Sequence, residues 1–147
     1  MAANTRFAVA VHSAGLIAFG DRMTVNSESI ARSVGTNPVV VRRVVGLLVK
    51  AGLVEMRKGQ NGGALLARPP EKISLGDIYR AVESGPLLAV PEFGAKVKEP
   101  CAIARFAAPV LRLFFGDAER CMMAKLDKTR LSDVIHEVCA RQKGKCS

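Results

Sequence analysis

The sequence predicts a mainly α fold carrying one small β-hairpin, with a compact first half and one long helix in the second. Three observations predict it. Ser27 to Lys50 holds two short segments with apolar stripes at helical spacing, separated by Gly35-Thr36-Asn37-Pro38, which is helix, turn, helix. Directly afterwards, two apolar runs flank Arg57-Lys58-Gly59-Gln60-Asn61-Gly62-Gly63, a basic and glycine-rich hairpin tip. From about Ala102 to Leu126, apolar residues recur on more than one helical face. Together these describe a winged helix-turn-helix plus a long dimerisation helix.

Asn4 to about Phe19 reads as the first helix, with Phe7, Val11, Ala14 and Ala18 on one face and Leu16 and Ile17 beside them. Arg6 ahead of the apolar run imitates a secretory signal, but His12 and Ser13 interrupt that run and no small-residue cleavage site follows, so the segment is assigned to the core. Arg6 is either solvated or in reach of a phosphate. His12 has no partner at metal-ligand spacing and is expected at the surface or the core edge.

Ser27 is expected to cap the helix Ser27–Val34, with Val25 as a hydrophobic staple and Ile30, Ala31 and Val34 on the inner face. Gly35 is the turn residue free to adopt positive φ. Asn37 caps the next helix, and Pro38 suits its first position, where a missing N–H costs nothing. That helix runs to about Lys50. Its buried stripe is Val41, Val44, Val45 and Leu48, which turns Val39, Val40, Arg42, Arg43, Gly46 and Lys50 to the rim or outside. Gly52 ends it, Leu53 to Met56 is a strand, and Ala64 to Ala67 is its partner. Arg68-Pro69-Pro70 stops the strand, and Ser74 caps a short helix to Glu83 with Ile78, Tyr79 and Val82 inward.

Residues 84–100 are punctuated by proline and glycine and read as a loop or linker. The long helix follows, with Pro109 in its first turn or at a kink and Gly116 as a costly interior residue. Its stripe of Phe106, Val110, Leu113, Phe114, Ala118, Cys121 and Met122 is widened by Leu111, Phe115, Met123 and Leu126. A chain of this size lacks the mass to cover so much apolar surface, which points to a homodimer with Val110, Phe114, Ala118, Cys121 and Met122 at its interface. Thr129 or Ser132 is expected to cap a last helix containing Leu131, Val134, Ile135 and Val138, before a basic tail. The organisation is therefore a winged helix-turn-helix at 1–83, a linker at 84–100, dimerisation helices at 101–140 and a tail at 141–147.

Composition narrows the function. The chain has 147 residues, 49% of them hydrophobic, few aromatics and no Trp, so its core is aliphatic. Its formal net charge is +9. Residues 1–68 hold nine Lys and Arg against three Asp and Glu, while residues 69–147 hold thirteen against ten, so positive potential concentrates on the winged half. A polyanion is the partner this favours. No strongly basic amphipathic helix is present to lie on a membrane, and no apolar run is long enough to cross one, so a cytoplasmic location is expected. Catalysis needs a nucleophile with a convergent base, and the chain has two histidines. His136 and Cys139, three apart near Asp133 and Glu137, are the nearest approach to a ligand pair, and a plain surface helix is preferred. The wing lacks the Lys-Ser/Thr ending of a phosphate-binding loop. No enzyme activity, metal or cofactor is assigned. A basic helix followed by a basic wing can straddle a groove of double-stranded DNA, and the rival non-enzyme class is a protein-binding adaptor.

Several runs resemble a known family, the Rrf-two-type winged-helix regulators of bacteria, which include IscR, NsrR and CymR. The matching residues are Lys50-Ala51-Gly52-Leu53-Val54, the wing Lys58-Gly59-Gln60-Asn61-Gly62-Gly63, Leu65-Leu66-Ala67-Arg68-Pro69-Pro70, Ile73-Ser74-Leu75-Gly76-Asp77-Ile78 and Ala81-Val82-Glu83. The likeness continues more weakly through Cys101 to Thr129-Arg130-Leu131-Ser132-Asp133-Val134. It implies a homodimeric transcriptional regulator, a repressor, that sets two recognition helices into successive major grooves of a near-palindromic operator. On this chain the DNA-facing positions are Asn37, Val39, Val40, Arg42, Arg43, Lys58, Gly59, Gln60 and Asn61. Val39, Val40 and Arg43 reach base edges, Arg42 and Lys58 serve bases or phosphates, and Gln60 and Asn61 sit at the wing tip. The wing departs from the family's proline-glycine tip, and two valines replace a more polar helix start, so the operator is not inherited.

The resemblance also implies three closely spaced cysteines near residue 101 that hold iron and sulfur. This sequence supplies Cys101 there, and Cys121, Cys139 and Cys146 sit at spacings unlike a compact cluster motif, so the cluster is not carried over and an iron-sulfur sensor with atypical ligands is the alternative. Cys101 follows Pro100 and opens the long helix, where backbone N–H groups favour a thiolate. Reversible oxidation at Cys101 is therefore the expected sensing chemistry, with Cys146 as resolving partner.

Overall fold

In the computed structural model, which describes residues 5–20, 23–99 and 101–142, the elements follow the order α1 (Arg6–Phe19), α2 (Ser27–Val34), α3 (Pro38–Lys50), β1 (Val54–Arg57), β2 (Gly63–Leu66), α4 (Leu75–Val82), α5 (Ala102–Lys128) and α6 (Leu131–Arg141). A 3₁₀ turn, Pro70–Lys72, leads into α4. The architecture is mainly α with a two-stranded antiparallel hairpin, a winged helix fold.

Contacts divide the chain into two units, one formed by the described residues up to Glu83 with those from Leu126 onward, the other by Ser84–Lys125. The first unit holds a core of Ile30, Val41, Leu48, Val54, Ile73, Ile78 and Leu131. Full burial of each such side chain stabilises by about 1.5 to 3 kcal/mol, which is why α3 keeps its valines at Val41, Val44 and Val45 inward. Helix α6 joins this unit through Leu131, whose N–H donates to the Ile73 carbonyl at 2.9 Å, and Leu75 N–H returns a bond to Thr129 O at 2.8 Å. Leu131, grouped with the long helix in the sequence reading, thus belongs to the core of the winged unit, with Ile135 packed against it.

Local chemistry shifts several expected positions. Asn26, not Ser27, caps α2: its Oδ1 accepts from Ser29 N–H at 2.8 Å, which leaves Ser27 in the first turn. The buried face of α1 is Ala10, Ser13, Ala14 and Ile17; small residues let α3 and α4 approach it closely, while Phe7, Val11, Leu16 and Ala18 are half-buried beside it. Ser13 satisfies its buried hydroxyl on the Val9 carbonyl at 2.7 Å. Asn4 lies outside the described residues. Both strands sit one residue off the expected bounds, with register Val54↔Leu66 to Arg57↔Gly63. Neither Thr129 nor Ser132 caps α6. Arg130 holds that position, its N–H donating to Asp133 Oδ2 at 2.7 Å, and Ser132 is buried in the first turn.

Other expectations hold. Gly35 closes α2 in the left-handed region at φ +74°, Asn37 accepts from Val39 N–H at 2.8 Å, and Pro38 opens α3. Ser74 and Asp77 form a reciprocal capping box at the start of α4, each bond 2.9 Å long. In that helix Ile78 and Val82 are buried, and Tyr79 meets Phe7 edge-on with ring centroids 5.3 Å apart.

In the second unit, α5 begins at Ala102 and continues through Pro109, so the proline lies beyond the first turn. Ala108 is its buried residue, and Phe106, Leu113 and Phe114 remain about 60% exposed, with Val110, Ala118 and Cys121 also exposed and Met122 half-buried. Before it, the loop is pinned to the helix by the Arg112–Glu92 ion pair and by Leu88 N–H, which donates to Glu119 Oε1 at 2.8 Å.

Candidate nucleic-acid interface

The N-terminal half of α3 presents its outward residues because the Asn37 cap and Pro38 fix the phase of the helix and the valine stripe fixes its roll. Val39 and Val40 are 56% and 42% exposed, an aliphatic surface suited to a thymine methyl, and the Arg43 side chain has no hydrogen-bond or ion-pair partner among the described residues. Arg42 is different. Its Nη2 donates to Glu28 Oε1 at 2.5 Å and its Nε to Ser27 Oγ at 3.3 Å, both in the first turn of α2. The Glu28 carboxyl is held below its usual range by its own backbone N–H first and then by the Arg42 guanidinium.

The wing is tied to the connector that leads into α2. Val25 and Ala64 exchange both backbone bonds, at 3.0 and 2.9 Å, so Val25 acts as a third strand in miniature. Thr24 Oγ1 donates to the Asn61 carbonyl at 2.6 Å, which fixes the tip. Gly63 is required there: φ is +151°, and a Cβ would lie 2.9 Å from the Val25 carbonyl oxygen. Lys58, Gly59, Gln60 and Asn61 are all exposed.

The fold brings the expected α3 and wing positions into one unit, with Asn37 serving as a cap. It removes Arg6, which donates to the Val82 carbonyl at 3.0 Å and lies 3.8 Å from Glu83, so it braces α4 instead of reaching a phosphate. Three residues that sequence reasoning missed support the candidate interface: Ser27 and Glu28, which hold Arg42, and Thr24, which holds the wing. Asn26 was the signal for the first two, since a cap there puts Ser27 and Glu28 into the turn facing α3.

Outside this face, His12 Nε2 pairs with Ser33 Oγ at 2.8 Å and is a surface histidine. Cys101 and Cys121 are free and exposed, and Ala104 N–H points at Cys101 Sγ at 3.4 Å across the first turn of α5. Cys139 is disulfide-bonded. Cys146 lies outside the described residues, and Arg141, assigned to the tail, ends α6 in an ion pair with Glu137. Among the described residues no helix is long and apolar enough to cross a membrane.

Comparison with known proteins agrees with this geometry. The Rrf2 family, described as an iron-dependent transcriptional regulator, matches residues 3–137. YwnA of Bacillus subtilis, whose name places it among HTH-type transcriptional regulators, is 38% identical over 136 residues, covering 92% of this chain and 98% of YwnA. Two solved structures share the fold. IscR of T. potens has a TM-score of 0.70 and 24% identity, over 94% of this chain and 88% of that one. CymR (YrzC), the global cysteine regulator of B. subtilis, has a TM-score of 0.69 and 24% identity, over 93% and 98%. An iron or iron-sulfur group would need several thiolate or imidazole donors converging on one point. Among the described residues no three His, Cys, Asp or Glu side chains gather in that way, so the donor set does not fit the group.

Proposed function

The chain belongs to the Rrf2 family of transcriptional regulators, a non-enzymatic class, and we propose that it is a homodimeric, sequence-specific DNA-binding repressor. The observation that carries this reading is the pairing of an exposed, basic α3 N-terminal half with a wing anchored through Thr24 and Asn61 in the same unit. Val39, Val40 and Arg43 read base edges in the major groove, Arg42 works at the same face, and Lys58, Gln60 and Asn61 contact the flanking backbone. The exposed stripe of α5, centred on Val110 and Phe114 and continued by Ala118, Cys121 and Met122, pairs two copies, so the operator is near-palindromic and its occupancy excludes the transcription machinery.

The effector input is Cys101. Its sulfur is free and exposed and faces the Ala104 N–H at the helix start, where it can attack a peroxide oxygen. Water leaves, a sulfenic acid forms, and a second thiol condenses with it to a disulfide with loss of another water. The second thiol is a small-molecule thiol from solution, since Cys139 is already in a disulfide.

The test is a salt titration on random duplex DNA followed by selection of bound sequences from a random pool. A DNA reader binds with a steep negative slope of log affinity against log salt and enriches one near-palindrome. A protein-binding adaptor shows neither.

A further inference from the structure

The interface carries a cation that already has a counter-charge. Arg42 Nη2 and Nε are occupied by Glu28 and Ser27, and the Ser27 hydroxyl also donates to Glu28 Oε2 at 3.4 Å. Arg42 Nη1 has no partner among the described residues. Arg43 and Lys58 have no such partner among the described residues. The pair is open to solvent, with side-chain exposures of 58% and 55%. We propose that Glu28 is a specificity-setting residue: it neutralises and orients Arg42 so that this cation gives little to bulk DNA and acts through its Nη1 edge at the operator.

The proposal rests on the DNA-binding reading above. A backbone phosphate that seeks Arg42 must displace a carboxylate already at hydrogen-bond distance, one unit charge exchanged for another, and must then lie beside the Glu28 it displaced. That exchange releases little net counterion, so Arg42 adds little to sequence-independent affinity. An acid on the DNA-facing side lowers affinity for all sequences alike, which leaves base readout as a larger share of what remains. Ser27 supplies geometry. By accepting from Nε it fixes the plane of the guanidinium, and a planar fork discriminates only when it is held. Asn26 makes the arrangement possible, since its capping bond places both Ser27 and Glu28 on the turn that faces α3.

The experiment titrates salt for the full chain on random duplex and on its selected operator, with Glu28→Gln, Arg42→Ala, their double variant and Ser27→Ala. All three positions are exposed or half-exposed, and far-ultraviolet circular dichroism checks that each variant keeps its helices. Glu28→Gln is expected to raise random-duplex affinity on the order of fivefold near 0.1 M salt, to steepen the slope by about 0.9, and to lower the operator-to-random ratio. Arg42→Ala alone is expected to leave the random-duplex slope unchanged, yet to cancel the gain when added to Glu28→Gln. Ser27→Ala is expected to weaken operator binding and leave the slope as it was. The proposal is overturned if Glu28→Gln changes neither slope nor ratio, or if Arg42→Ala alone flattens the slope by about 0.9, because Arg42 then leaves Glu28 for a phosphate. Wild-type protein that binds random duplex with no salt dependence overturns the DNA-binding reading itself and this inference with it.

Discussion

Gly76 of α4 lies so close to Asp127 that a Cβ on it would stand 1.9 Å from Oδ1, and that carboxylate accepts from Arg80 at 2.7 Å. The contact holds the end of α5 against α4 within the winged unit. Gly76→Ala would push Asp127 off Arg80 or part the two backbones. We predict a loss of about 1 to 3 kcal/mol in chemical denaturation, with DNA affinity per folded molecule unchanged.

The capping box gives that helix a pH dependence. Burial opposes ionisation of Asp77, but the bonds from the Ser74 backbone and side chain and from Arg80 outweigh it and hold the carboxyl below its ordinary 3.8. A depressed folded value means the contribution is complete above the unfolded value and fades as pH falls through the folded one. Asp77→Asn should therefore be less stable than wild type at neutral pH, the gap closing below about pH 4. Urea midpoints measured from pH 7 to pH 2 check it; a gap constant across that range refutes the assignment.

At the interface, Arg43 and Lys58 should part company. Arg43→Ala is expected to relax base preference at one operator position by about 1 to 3 kcal/mol. Lys58→Ala should weaken all sequences evenly and flatten the salt slope by about one. Binding to a panel of single-base operator variants distinguishes the two patterns, and an even loss from Arg43→Ala removes it from base reading.

Phe114 is 63% exposed in the isolated chain, so a charge there leaves the fold of one copy intact. In a dimer sealed by α5 the same charge is buried without a partner. Phe114→Glu should weaken self-association by about two orders of magnitude, about 3 kcal/mol, in sedimentation equilibrium. Wild-type protein that sediments as a monomer at micromolar concentration rules the architecture out.

Mild peroxide should lower operator affinity of the wild type, reversibly with a thiol reductant, and Cys101→Ser should abolish the response. A serine variant that responds as the wild type does removes Cys101 as the sensor.

Periodicity and capping residues made most of the first unit legible. The α3 stripe, the Asn37-Pro38 start and the Ser74 cap are local chemistry, and local chemistry is what a sequence displays directly. The misplacements share a different cause. Asn26 and Ser27 are both good caps, and which one wins depends on how the connector meets the wing at Ala64. The roll of α1 depends on how near α3 and α4 come, which small residues permit but do not announce. Glu28 with Arg42, Thr24 with Asn61 and Arg6 with Val82 join residues 14 to 76 positions apart, beyond any spacing rule.

Leu131 is fully buried among residues that precede it by fifty positions or more, such as Ile73 and Ile78, and this sets a timetable for synthesis. A ribosome adding about 5 to 20 residues per second delivers α6 roughly 2 to 10 seconds after α4. Throughout that interval the nascent winged region shows an apolar gap where Leu131 belongs, and the Ile73 carbonyl waits for its donor. A chain cut after Glu83 is expected to stay in that unfinished state and to be cleaved by proteases faster than the full chain. Mutations in α6, which carries none of the proposed DNA-facing positions, are consequently expected to show up in the cell as low abundance before they show up as altered binding.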